Sequence, residues 1–291
     1  MVDKRVSTSN MLIYAFIATI AFLCLLPMWL LVTTSLMNAR ELAKEGVKLF
    51  PRHISFEAYR VLLYGGINTL GTAYYVTFLS TLLGTVMALL ITASAGYALS
   101  SPMLKGAGSI SLYFYITMLF SGGMVPWYLI NYKLGVFNNF FALVIPSLLF
   151  NPFNLFLVRN FMKQLPVSLG ESARMDGASE YMIAWRIYLP LSAPVLATIT
   201  LFYGLGYWNS WWNAIMLIED QTLFPLQYLL VRIRSSLAAM RLSNISGGAE
   251  RPPTIPVQNA VTLVTIGPII LLYPFLQRFF IKGIVIGAVK G

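Results

Sequence analysis

The sequence predicts an all-α polytopic membrane protein, and three observations carry that prediction. Of 291 residues, 58% are hydrophobic and only 10% are charged, where a soluble domain carries about 25%. Mean hydropathy is +0.73. Six stretches, approximately residues 11–36, 68–99, 108–131, 139–158, 191–218 and 259–277, are apolar and uncharged through their centres. Each reaches or exceeds about the 20 residues a helix needs to cross roughly 30 Å of hydrocarbon. Six such helices packed as one transmembrane domain over residues 1–291 is the expected architecture.

The elements follow in order. The first span is too long for a signal-peptide core and runs into Met37-Asn38-Ala39-Arg40 without a small-residue cleavage site, so it is read as a retained helix. Pro166 restarts the chain after the fourth span, and Leu189-Pro190 opens the fifth, proline being tolerated in a first turn. Two long loops, about residues 37–67 and 212–258, hold the turn signals Gly65-Gly66, Gly247-Gly248 and Pro252-Pro253. They read either as connectors or as a platform for an external partner. An even number of spans places both termini on one side. The 20 Lys and Arg residues divide evenly between the two sides, so charge alone does not orient the chain.

Several functions are excluded or made remote. The net charge of +10 sits in loops, with no basic stripe interleaved with aromatics, which argues against nucleic-acid binding. Cys24 is the single cysteine and His53 the single histidine, so neither an internal disulfide nor a His/Cys metal cluster can be built. No Asp, Glu, Lys, Arg or His lies in the central part of a span, which argues against a proton relay. There is no G-x-x-x-x-G-K-[ST], H-E-x-x-H or G-x-S-x-G. The chain reads as a non-catalytic path through the membrane whose energy comes from another subunit. A secondary carrier or channel working alone is the alternative. A membrane enzyme would need acidic groups near one face, and the sparse candidates Glu219 and Asp220 make that reading a poor one.

Between the fourth and fifth spans lies a polar island over residues 165–188, with Glu171-Ser172-Ala173-Arg174-Met175-Asp176-Gly177-Ala178-Ser179 at its heart. Ser168-Leu169-Gly170-Glu171 fits a capping box, predicting a short helix that begins near Leu169 and is interrupted at Gly177. A second helical stretch, Glu180 to Tyr188, places Trp185 and Arg186 at the interface. Small residues let a partner approach closely. On the residues alone, a capped turn and a docking element are equally good readings.

Glu171-Ser172-Ala173, then Gly177, then Ile187-x-Leu189-Pro190 resembles the E-A-A-x3-G-x9-I-x-L-P signature of permease subunits of binding-protein-dependent ABC importers. Ser172 stands where alanine is usual, a small-for-small change. Gly96-Tyr97-Ala98-Leu99, Leu157-Val158-Arg159-Asn160-Phe161, Tyr207-Trp208-Asn209 and Gly287-Ala288-Val289-Lys290-Gly291 resemble the carbohydrate-uptake branch, on the side of the smaller maltose-importer permease. The resemblance implies a heterodimer of two permeases, two cytoplasmic ATPase subunits that bind ATP and Mg, and an external solute-binding protein. No cofactor is expected on this chain itself. It implies that Glu171, Ser172, Ala173, Asp176, Gly177 and Ala178 belong to a coupling helix seated on an ATPase. That places the island and both termini in the cytoplasm, with the bundle in the bacterial inner membrane among its lipids.

Trp208, Asn209, Trp211, Trp212 and Asn213 are the candidates for the saccharide path, because sugars offer flat C–H faces to rings and hydroxyls to amides. An interfacial tryptophan belt is the competing reading for Trp211 and Trp212. Thr265-Ile266-Gly267-Pro268-Ile269 and the chain's ending resemble importers of larger saccharides, including alginate and pectin fragments. Arg232, Arg234, Arg241 and Arg251 would suit an anionic oligosaccharide or an acidic binding protein. A solvated charge run is the alternative.

Overall fold

The computed structural model describes residues 8–64, 67–146, 149–243 and 255–270. Among them every regular element is helical: α1 (Thr8–Ser35), α2 (Ala39–Glu45), α3 (Glu57–Tyr64), α4 (Ile67–Ser100), α5 (Ala107–Leu119), α6 (Met124–Lys133), α7 (Pro152–Met162), α8 (Val167–Met175), α9 (Glu180–Leu191), α10 (Ala193–Trp208), α11 (Trp212–Leu217), α12 (Leu226–Ser243) and α13 (Ile255–Ile270). The chain divides into two compact units, one built from residues up to Leu70 and from Leu230 to Pro268, the other from Gly71 to Leu229.

In the first unit α1 keeps its apolar surface outward, as lipid or a neighbouring subunit allows: none of its most hydrophobic window is buried. Only its last turns are covered. Thr34 Oγ1 accepts from Asn259 Nδ2 at 2.6 Å, Ser35 pairs with the Tyr59 hydroxyl at 2.9 Å, and Trp29 Nε1 donates to the Leu49 carbonyl at 2.8 Å. A small core of Ala58, Leu230, Val257, Ala260 and Val261 closes this unit.

The second unit holds two cores. One gathers Val76, Leu143, Ala214, Leu217 and Phe224, the other Ala88, Val158, Met162, Ile199, Tyr203 and Tyr207. The first two predicted spans appear as long helices, α1 and α4. Met11–Ser35 and Leu70–Ser100 are long and apolar enough to cross a membrane, and up to four crossings result if each bent helix pair counts as one.

The predicted span 108–131 is bent by 116° between α5 and α6, at Ser121-Gly122-Gly123, residues that favour turns over helix. The predicted span 139–158 is not one helix. Residues 140–143 form a 3-10 turn, and α7 starts only at Pro152, capped by the Asn151 side chain. Pro146 and Pro152 lack the N–H donors a continuous helix needs. The predicted span 191–218 is likewise interrupted, α10 ending at Trp208 and α11 starting at Trp212. Of the last predicted span, residues 271–277 lie outside the described residues, as do Arg251 and the Gly287–Gly291 ending.

Irregular backbone in a membrane-embedded chain survives where its polar groups are satisfied from within the protein, and residues 144–146 and 149–151 are irregular. Here side chains do it. Tyr207 Oη donates to the Val144 carbonyl at 2.8 Å, and Asn213 Nδ2 donates to the Pro146 carbonyl at 2.8 Å. The Asn151 N–H donates to Tyr203 Oη at 3.2 Å, and that hydroxyl also pairs with Thr92 at 2.7 Å. Asn138, the one non-glycine residue with positive φ (50°) among those described, accepts from the N–H groups of Glu219 and Asp220 at 3.0 and 2.8 Å. Asn138→Ala loses both bonds and the amide side chain that tolerates this backbone. It is expected to cost about 2–3 kcal/mol, read as a fall in detergent-solubilised thermal stability.

Candidate functional site

The polar island folds into a helix, a tight turn and a second helix. The capping box read from Ser168 and Glu171 is not formed. α8 begins at Val167 with Pro166 at its N-cap and no side-chain cap bond, so Ser168 already lies inside the first turn. The physical reason is Pro166, whose fixed φ of −58° starts the helix earlier than the Ser/Glu pair would.

The other end behaves as read. Gly177 has φ +79°, its N–H donates to the Arg174 carbonyl at 3.0 Å, and the Ala178 N–H donates to the Ala173 carbonyl at 2.9 Å. That pair of bonds is a Schellman motif, which needs a left-handed residue where glycine stands. Ser179 then caps α9, accepting from the Met182 N–H at 3.3 Å. Residues 184–188 of α9 widen into a π-helical turn in which the Leu189 N–H reaches Ala184 O. Pro190, with no N–H and a ring that crowds the carbonyl four residues back, accounts for that widening.

The turn sets two side chains face to face. Arg174 Nε donates to Glu180 Oε1 at 2.6 Å and Arg174 Nη2 to Oε2 at 3.3 Å. Tyr97, one turn before the end of α4, donates its hydroxyl to Glu180 Oε2 at 2.6 Å. The Tyr97 ring meets Tyr188 edge-on, centroids 5.1 Å apart. The hydrogen bonds from Arg174, and next from Tyr97, hold the Glu180 carboxyl below the usual carboxylate range. A carboxylate with a lowered folded pKa contributes its stabilisation above the unfolded value, near 4.3, and loses it as pH falls through the folded one. The contacts of Glu180 are therefore expected to be intact from neutral pH down to about pH 5 and to be lost only in stronger acid. The check is the carboxylate infrared band that is missing from the Glu180→Gln difference spectrum.

The exposed side of this loop carries the residues singled out in the sequence. Glu171, Ser172, Asp176 and Gly177 are exposed, while Ala173 and Ala178 are half-buried. Met175 is 88% exposed at the end of α8, an apolar tip on a polar helix. Tyr181, Met182 and Trp185 extend exposed apolar surface along α9.

The five path candidates are not brought onto one open surface. Trp208 is buried, and Asn213 is buried with its amide committed to Pro146. Asn209 caps the end of α10 and accepts from Gln227 Nε2 at 3.1 Å. Trp211 and Trp212 are exposed and meet edge-on at 5.8 Å. Sequence reasoning missed the role of Glu180, which it read only as the start of a second helix. Its partner Tyr97 lies 83 residues away and no local pattern links them.

Apolar helices with outward apolar surface, broken spans with backbone carbonyls satisfied internally, and a polar loop with an exposed apolar tip fit a polytopic membrane protein that docks a partner. No family model matches the chain. Protein LplC of Bacillus subtilis is 37% identical over 280 residues, covering 95% of this chain and 92% of that protein. The polygalacturonan/rhamnogalacturonan transport system permease protein YtcP of the same organism is 36% identical over 284 residues, covering 97% and 98%. Among solved structures, a bacterial ABC transporter involved in the import of the acidic polysaccharide alginate has a chain that superposes with a TM-score of 0.81. That chain is 29% identical, with 96% of this chain and 99% of the other covered. The chain belongs to the carbohydrate ABC transporter permeases. It is a permease subunit of an ABC importer and a protein of the inner membrane. As such it works with a partner permease, an ATPase and a solute-binding protein.

Proposed function

We propose that this chain pairs with a second, different permease to form the pathway for an acidic oligosaccharide. The sugar is delivered by an external binding protein and driven by two cytoplasmic ATPase subunits that hold the ATP and Mg. The chain itself is non-catalytic. Its termini and the 165–188 loop face the cytoplasm, and α8 with Glu171, Ser172, Ala173, Asp176, Gly177 and Ala178 seats on one ATPase.

One observation carries the docking reading: Met175, 88% exposed, stands on a helix end locked by a Schellman turn and flanked by small and charged residues. An apolar tip held that rigidly in water favours a partner that covers it. Closure of the ATPase pair would then move α8 and switch the bundle between inward and outward opening. A single-cysteine reporter tests the placement. Met175→Cys in a Cys24→Ser background, expressed without the ATPase subunits that would cover it, is expected to resist a membrane-impermeant maleimide added outside intact cells, and to react once the membrane is opened. Labelling from outside overturns the orientation.

The acidic substrate rests on chemistry shared by proteins similar to this one. Polygalacturonan and alginate, named for two of them, are uronate polymers, and exposed Arg232 and Arg234 on α12 suit carboxylates or an acidic binding protein. In proteoliposomes carrying the whole importer, oligogalacturonate or oligoalginate is expected to enter with ATP while maltotetraose does not. Uptake of the neutral sugar alone overturns this reading.

A further inference from the structure

We propose that Arg174, Glu180 and Tyr97 form a latch that makes α8, α9 and the end of α4 move as one body, so that displacement of the docking loop is delivered to a membrane-crossing helix. The proposal rests on the docking reading above and names the residues that act behind the docked surface.

Three observations support it. First, the Gly177 turn brings Arg174 at the end of α8 against Glu180 at the start of α9, in a two-pronged contact of 2.6 and 3.3 Å. Second, the same carboxylate accepts the Tyr97 hydroxyl at 2.6 Å, so one anion ties both loop helices to α4. The pair is partly exposed, so solvent screens its strength, but the guanidinium fork fixes direction as well as distance. Third, the packing around the latch is hollow. A cavity of about 110 Å³ lies beside Tyr97, Arg174 and Tyr188 and is lined also by Ser100, Met162 and Val167. Across that gap the hydrogen bonds to Glu180 and the Tyr97–Tyr188 ring contact carry the connection. A push on α8 without Glu180 would be absorbed by the cavity.

These are positioning residues: they act on the bundle through α4. The experiment uses the assembled importer with spin labels at Ser168→Cys on α8 and Met103→Cys just beyond α4, in a Cys24→Ser background. In the parent complex the distance distribution between the labels is expected to stay narrow and unshifted when ATP and vanadate trap the ATPase pair. In Glu180→Gln, and more mildly in Tyr97→Phe, it is expected to broaden and shift on trapping, with the ATPase subunits still co-purifying. A Glu180→Gln distribution identical to the parent's overturns the latch. Docking is read separately, from co-purification with Met175→Glu. Retention of the ATPase there overturns the docking reading and the latch with it. Its loss there, with Glu180→Gln unchanged, overturns the latch alone.

Discussion

Gly177→Val is expected to leave the membrane helices folded while weakening productive coupling in the assembled importer. At φ +79° a β-branched side chain is strained, by about 1–2 kcal/mol. No heavy atom lies within 4 Å of where the new Cβ would sit, so the penalty is conformational rather than steric. The chain relieves it by opening the Schellman turn. That releases the bonds to Arg174 and Ala173, and with them the facing of Arg174 and Glu180. Sugar uptake per ATP hydrolysed is expected to fall about tenfold, the factor that 1.4 kcal/mol represents, while thermal unfolding of the permease pair shifts little. Gly177→Asn, which tolerates the left-handed region, should retain most uptake. Unchanged sugar-stimulated ATPase activity and uptake in Gly177→Val would refute the role of the turn.

Gly84→Val is expected to have the opposite signature, loss of the fold rather than of coupling. A Cβ at Gly84 would lie 2.4 Å from two ring carbons of Tyr207. Tyr207 is 2% exposed and its hydroxyl satisfies the Val144 carbonyl in the broken stretch. The ring has nowhere to go within the core of Ala88, Ile199 and Tyr203. Overpacking and an uncapped buried carbonyl together should cost about 2–5 kcal/mol. The expected result is poor recovery of monodisperse protein and a lowered unfolding temperature. Tyr207→Phe should show the smaller share of that loss, since it removes the hydroxyl and keeps the ring. A Gly84→Val protein as stable as the parent would show that this seam is not closely packed.

The two variants separate what was legible in the sequence from what was not. Gly177 could be placed at a turn from Arg174-Met175-Asp176-Gly177-Ala178 alone, because a helix end that needs a left-handed residue leaves a local mark. Gly84 could not, since nothing near it in sequence announces a tyrosine 123 positions later. The capping box failed for a related reason. Ser168 and Glu171 fit the local pattern, but Pro166 started the helix upstream of them.

Asn213 makes the same point at the candidate path. As a residue type it suits a sugar hydroxyl, but the fold spends its amide on the Pro146 carbonyl. The bare sequence shows a polar residue and not whether its hydrogen bonds are already taken.

By itself the sequence determined that the chain is helical and membrane-embedded, because apolar content and uncharged length leave lipid as the solvent and helices as the way to satisfy the backbone. It also determined where the charged loop lies and that the loop turns at Gly177. The tertiary structure alone decided which spans break and which side chains repair the breaks. It also decided that Glu180 joins the loop to α4. Those outcomes depend on contacts between residues tens of positions apart, and the free energy of such a contact is set by geometry that no local pattern encodes.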